Sequence, residues 1–380
     1  MRIIVGSLMT NWLLSRWGAC DNRMAYVLGL QRLGHEVYLM GEINSQQSCD
    51  SNCNPVPFEK WEGRGRFEKI VRAYGIWPRC CLVYHDGEAT HGMPFRDAVK
   101  IAKSADLLVN INGRLRTQEI VNNVVCRAYI DLDPGITQVY HAEYNIDNGF
   151  DQHQYFFTVG PNIGTAACSI PTCGLRWHPC MHPVVLELWP ARASNQCRRF
   201  TSVSSWVQPT FNYEGQYSGE KSDNWRHFIA LPKKTRQELE IAINLVYHEN
   251  IVLFKENGWF LTDPAQLHNL DAYRSFIGNS RAEFSVAHKG FVEFKTGWFS
   301  DRSARYLASG KPVLVQSTGI ENYLPTGKGL LTFTTVEEAV VGIEAINKDY
   351  LAHCREARAI AEEYFDSDKV LSKILQHMGF

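Results

Sequence analysis

Gly297-Trp298-Phe299-Ser300-Asp301-Arg302-Ser303-Ala304-Arg305-Tyr306-Leu307-Ala308-Ser309-Gly310-Lys311-Pro312-Val313-Leu314-Val315 reads as a glycine-opened polar loop, a short helix, a Gly-Lys-Pro turn and a buried strand. Ser300, Asp301, Arg302 and Ser303 crowd hydroxyls, a carboxylate and a guanidinium at the start of that helix. The first backbone N–H groups of a helix lack intrahelical partners, and its dipole favours an anion there. A loop-to-helix anion site followed by an apolar strand suits a nucleoside diphosphate.

Upstream, strand and helix alternate. Strands are expected at Arg2–Ser7, Glu36–Met40, Cys80–Tyr84, Asp106–Ile111, Arg127–Leu132 and Tyr155–Val159, with helices at Asp21–Leu33 and Pro94–Lys103. Gly34 stands where a helix stop belongs. Strands separated by helices pair in parallel, which predicts an α/β doubly wound sheet. The proline-rich segment 166–199 interrupts this rhythm and reads as a linker between an N-terminal domain, 1–165, and a second α/β domain, 200–355. Strands of the second domain are expected at Phe200–Ser204, Ile251–Phe254, Glu283–Ala287, Pro312–Gln316 and Leu330–Phe333. Two such domains facing each other leave a cleft at the carboxyl ends of both sheets, where ligands of open parallel sheets bind.

The stretch 297–316 resembles the nucleotide-sugar site of GT-B glycosyltransferases of the group-1 and spore-maturation-like kind: a small loop, a helix ending in Ala-x-Gly, a proline and a valine-rich strand. The likeness is specific over about the last 100 residues and architectural before that. It implies two Rossmann-like domains, a nucleoside diphosphate sugar (a UDP-sugar first) as co-substrate, no other cofactor, and a last helix, 356–380, crossing back to the first domain. Many retaining relatives carry a glutamate where this chain has Arg305, so their ribose contact does not transfer here.

The bulk numbers agree with such a chain. At 380 residues it suits two domains of roughly 150–200 residues. A net charge of −1 offers no long-range field for a polyanion. The eleven cysteines are odd in number and the N-terminus lacks a secretory signal, which points to reduced thiols in a cytoplasmic enzyme. No run approaches the 18 or so apolar residues of a membrane span. Cys168, Cys173, His178, Cys180 and His182 lack the Cys-x2-Cys knuckle of structural zinc, so no metal is assigned.

Lys289 and Arg302 are the candidate cations for charge developing on a leaving diphosphate, with His288, Ser300, Asp301 and Ser303 beside them. Trp206 and Trp298 are placed to stack on a sugar or base. On the first domain, Ser7 and Asn11 lie in a loop expected beside the acceptor, and Asp133 or His153 could take an acceptor proton. His85, Asp86, Glu88 and His91 form another strand-end cluster with the same chemistry. Asp131-Leu132-Asp133 also matches the Asp-x-Asp by which GT-A enzymes hold a divalent metal. The expected function is metal-independent transfer of a sugar from a nucleoside diphosphate sugar to an acceptor hydroxyl. The competitors are a GT-A enzyme, a non-catalytic sugar-nucleotide-binding module, and a transferase acting on hydroxymethylated DNA through a basic face of Arg64, Arg66, Arg72, Arg114 and Arg116.

Overall fold

The computed structural model describes residues 1–7, 17–50, 54–245, 247–267 and 269–380. Its first sheet is built from β1 (Arg2–Gly6), β2 (Glu36–Ile43), β3 (Cys80–Tyr84), β4 (Ala89–Gly92), β5 (Leu107–Ile111), β6 (Cys126–Asp131), β7 (Tyr155–Thr158) and β8 (Trp177–Pro179). The order across it is β4-β3-β2-β1-β5-β6-β7-β8, parallel except for β4, which runs antiparallel to β3 at the edge. Continuous apolar runs such as Leu107-Leu108-Val109 are buried throughout, as strands covered by helices on both faces must be.

The second half of the chain supplies β9 (Phe200–Ser205), a small hairpin of β10 (Asn212–Tyr213) and β11 (Gln216–Tyr217), and then β12 (Leu239–Asn244), β13 (Phe260–Thr262), β14 (Ala282–Ser285), β15 (Val313–Gln316) and β16 (Leu330–Phe333). Apart from the hairpin these form a parallel sheet ordered β13-β12-β9-β14-β15-β16. Each sheet reverses its winding at its own first strand, between β1 and β5 and between β9 and β14. Doubly wound sheets open a ligand crevice at that place.

The helix Trp17–Arg32 ends where Gly34 was expected to stop it, and Gly34 takes φ +85°, a conformation that costs glycine little. Two expectations need correction. Ile251–Phe254 is no strand: it lies in the helix His248–Glu256, where Phe254 joins the core. A four-residue apolar run fits a strand or a helix turn equally by period, and the true strand is Leu239–Asn244. The segment 166–199 is also more than a linker, because β8 extends the first sheet beyond β7.

The chain crosses between domains twice, at adjacent places. Val184 N–H donates to the Phe365 carbonyl at 2.7 Å, and Ser367 N–H donates to the Val184 carbonyl at 2.9 Å. Beyond this crossing, later than residue 356, the helix Ser367–His377 packs Val370, Leu371 and Ile374 into the core of the first sheet. Trp225, Phe254, Phe284 and Phe333 centre the core of the second domain. No helix among the described residues is long and apolar enough to cross a membrane.

Candidate active site

A cavity of about 1480 Å³ lies between the carboxyl ends of the two sheets. Its second-domain wall is made by Ser204 and Ser205 at the end of β9, Asn244 at the end of β12, Asp263 to Ala265 after β13, and Trp298 to Arg302 before β15. Asn112, Arg114 and Asp133, from the ends of β5 and β6, face them from the first domain.

Ser300 caps the helix Asp301–Ala308: its hydroxyl accepts the Arg302 N–H at 3.2 Å, which fixes the helix start against the cavity. The Asp301 carboxylate also lines it. Burial pulls the Asp301 pKa up, and the charges of Arg305, Arg302 and Arg23 more than reverse this, so it is ionised. Trp298 reaches the cavity with its ring packed 4.9 Å from that of Phe291. Ser300, Asp301 and Trp298 thus all lie on the cavity wall.

Arg302 does not do what was expected of it. Its Nε donates to Glu283 at 2.5 Å, Nη1 to the Val203 carbonyl at 2.5 Å and Nη2 to Ser285 at 2.7 Å. The guanidinium neutralises a carboxylate that is 0% exposed and ties the helix to β9 and β14. That use of all three nitrogens takes the place of a phosphate contact. Four further expected residues lie off the cavity wall, three of them buried. Ser303 is enclosed on the inner face of the same helix, and Trp206 packs on Phe254 in the core. His288 accepts the Gly290 N–H through Nδ1 at 3.0 Å and donates to the Pro209 carbonyl at 3.1 Å. Lys289 lies off the wall, its stem beside Gly219.

On the first domain, Asp133 is exposed to the cavity and accepts a hydrogen bond from Asn112 Nδ2 at 2.7 Å. Its partner in Asp-x-Asp is turned inward. Asp131 is 0% exposed and accepts from Thr137, Gln138, Thr158 and the Asp133 N–H at 2.8 to 3.1 Å. The two carboxylates therefore cannot share a metal, and among the described residues no group of three His, Cys, Asp or Glu is arranged to hold one. His153 is a structural residue rather than a base: Nδ1 donates to the Gly149 carbonyl at 2.7 Å, and Nε2 accepts from Asn110 at 3.1 Å. Burial lowers its pKa to about 4. Ser7 is sealed at the end of β1, its N–H on the Met40 carbonyl. Asn11 lies outside the described residues.

The strand-end cluster near β3 is at the sheet edge instead, where His91 meets Glu68 at 3.1 Å, away from the cavity wall. The basic face foreseen for DNA divides. Arg64 donates to the Glu59 carbonyl and Arg72 pairs with Glu68, whereas Arg66, Arg114 and Arg116 line the cavity.

Two wall residues escaped the sequence reading. Lys221 opens the helix Lys221–Phe228, is 4% exposed, and lines the cavity. Its charge, after burial, helps depress the His288 pKa to about 4. The turn Gly219-Glu220-Lys221 before an apolar-faced helix was the available signal. His182, from the crossing segment, is 3% exposed with neither ring nitrogen hydrogen-bonded. Burial takes its pKa to about 4, so it is neutral at pH 7.

Solved structures share this arrangement across nearly the whole chain. A glycosyltransferase from Rickettsia africae ESF-5 superposes with a TM-score of 0.54 at 11% identity, covering 99% of this chain and 96% of its own. Anabaena Alr3699/HepE in complex with UDP and glucose gives 0.58 at 11% identity, covering 100% and 99%. The fold is GT-B. A Listeria monocytogenes protein assigned to the UDP-N-acetylglucosamine 2-epimerases reaches 0.52 at 11% identity over 100% of this chain, so the GT-B fold alone does not name a reaction. No family model and no curated protein matches the sequence.

Proposed function

We propose that this GT-B chain is a glycosyltransferase that moves a sugar from a nucleoside diphosphate sugar, a UDP-sugar first among them, to an acceptor hydroxyl. The observation that carries this reading is the second-domain wall. A buried lysine, the strand-end serines Ser204 and Ser205, and the capped start of the helix Asp301–Ala308 all meet one cavity. A cation and a helix N-terminus together form a diphosphate site, and in a water-poor cleft such groups stabilise the charge that develops on the leaving group. Lys221 takes the role the sequence suggested for Lys289. The loops after β12 and β13, with Asn244 and Pro264, lie where the base would rest. Asp301 accepts hydrogen bonds from the sugar, and Trp298 covers its apolar face.

Asp133 faces this wall from the first domain and accepts the acceptor's hydrogen bond. In transfer, the acceptor oxygen bonds to the anomeric carbon and the bond from that carbon to the diphosphate oxygen breaks. The electron pair leaves on the diphosphate, and the hydroxyl proton passes to Asp133. No step requires a metal, because Lys221 and the helix start carry the charge.

The test is a transfer assay reading UDP release and product together, with and without excess EDTA. Release of UDP coupled to glycosylated product, persisting in EDTA and reduced at least about 100-fold in Asp133→Asn, supports the reading. Conversion of the UDP-sugar to an epimer without an acceptor would overturn it, as would activity restored only by Mn²⁺.

A further inference from the structure

The first-domain wall of the same cavity carries more positive charge than its own carboxylates neutralise. Arg23, Arg66, Lys69 and Arg114 all line it. Among the described residues, Arg66, Lys69 and Arg114 form no ion pair and no side-chain hydrogen bond. The acids on this wall are occupied elsewhere. Glu42 accepts the Arg116 and Thr117 N–H groups at 2.6 and 2.7 Å and the Thr117 hydroxyl at 2.9 Å. Asp147 pairs with Arg116 at 3.1 Å and accepts the Gly149 N–H at 2.7 Å. That leaves Asp133, already bonded to Asn112. Residues 8–16 and 51–53 contain no aspartate or glutamate, so they supply no missing counter-charge.

Arg23 lines the same wall as these exposed cations. It is half-buried and donates one hydrogen bond, to the Ala19 carbonyl at 3.0 Å. Burial depresses its pKa, an effect that the charge of Asp133 only partly offsets, and Arg114 adds a smaller like-charge repulsion. An incompletely compensated cation inside a cleft gains from an anion that brings its own charge and hydrogen-bond acceptors. Two arginine forks and a lysine suit a phosphate better than a carboxylate, because a phosphate offers three oxygens and up to two charges.

We propose that the acceptor hydroxyl belongs to a small phosphorylated molecule such as a sugar phosphate, whose phosphate is held by Arg66, Lys69 and Arg114 with Arg23 on the same wall. This rests on the reading that the opposite wall takes the nucleotide sugar. The phosphate is a handle and keeps all its bonds, while the hydroxyl at the other end of the molecule is presented to Asp133. The near-zero net charge of the chain is consistent with this, since the cations are gathered inside the cleft rather than spread over a face that a polyanion could cover.

The experiment titrates glucose 6-phosphate, glucose and inorganic phosphate into the full chain saturated with UDP, so that the nucleotide wall is already filled. The expected result is calorimetric binding of glucose 6-phosphate and of phosphate but not of glucose. In Arg66→Gln/Arg114→Gln this binding should weaken at least about 10-fold, with the UDP dissociation constant and the melting temperature unchanged. Both residues are exposed and form no ion pair among the described residues, so the variant should fold. Absence of glucose 6-phosphate and phosphate binding overturns the proposal, and so does binding that survives the double substitution. Loss of UDP affinity in that variant would assign the cations to the donor diphosphate. Tighter, variant-sensitive binding to phosphatidylglycerol vesicles or to a 20-nucleotide single strand would replace the small molecule by a lipid or a nucleic acid. If the wild-type chain fails to bind UDP at all, it is the proposed function that fails, separately from the phosphate site.

Discussion

Arg302 shows how far a residue's role follows from its position along the chain. Its place at a loop-to-helix junction was legible, but the direction of its side chain was set by Glu283, a strand residue 19 positions away. The same limit explains Ser303 and His288: sequence showed that they border the site, whereas helix phase and capping turned them inward. Asp301, Ser300, Trp298 and Asp133 lie on the cavity wall, at the loop-to-helix start and the strand end where the sequence pattern alone marks a position. Arg302→Ala should strand the buried Glu283 carboxylate and lower stability by about 3–5 kcal/mol, the usual cost of removing one member of a buried pair. A urea denaturation midpoint measures this. The double substitution Glu283→Gln/Arg302→Met should recover much of the loss, while unaltered stability in Arg302→Ala would show that the pair is not formed.

At the scale of elements, helix and strand alternation was readable wherever an apolar run was bracketed by turns, as at Cys80–Tyr84 in β3 and Leu107–Val109 in β5. It was unreadable where a mixed strand such as Leu239–Asn244 shares its composition with surface segments, and at β8, whose Trp-His-Pro carries no strand signal by itself. The seating of the helix Ser367–His377 on the first domain depends on one residue without a side chain. A Cβ on Gly29 would come within 2.4 Å of Leu371 Cδ1 and 2.9 Å of Ser367 Cβ, so the helices Trp17–Arg32 and Ser367–His377 approach closely there. Gly29→Ala should therefore destabilise the chain by about 1–3 kcal/mol despite the better helix propensity of alanine. Leu371→Ala should cost about 2–5 kcal/mol by opening a cavity in the same seam. Thermal unfolding followed by circular dichroism checks both, and a Gly29→Ala variant as stable as the parent would mean that the two helices pack more loosely.

For the whole molecule, burial of histidines in both domains and in the segment that joins them fixes its response to pH. His153, His182 and His288 are each held near a pKa of about 4 by burial, below the ordinary value near 6.5. Between those values the unfolded chain binds more protons than the native one, so stability rises with pH across the window and is lost as pH falls from 6.5 toward 4. Asp131, raised to about 6 by burial, works the other way, favouring the native state below that pH. Three histidines against one carboxylate leave a net loss on acidification, and His182→Gln should flatten the fall; a urea midpoint equal at pH 7.5 and 5 would contradict this. Two facing domains and the position of their cleft were legible from alternation and the 297–315 stretch, whereas Lys221 and His182 became visible only when separate segments met at one cavity. The decisive measurement is calorimetric titration of UDP into the wild-type chain and Lys221→Ala. The account expects wild-type binding, weakened at least about 10-fold by the substitution at a temperature where both chains are folded. Undetectable wild-type binding, or equal affinity in Lys221→Ala, would contradict the placement of a nucleoside diphosphate on the second-domain wall.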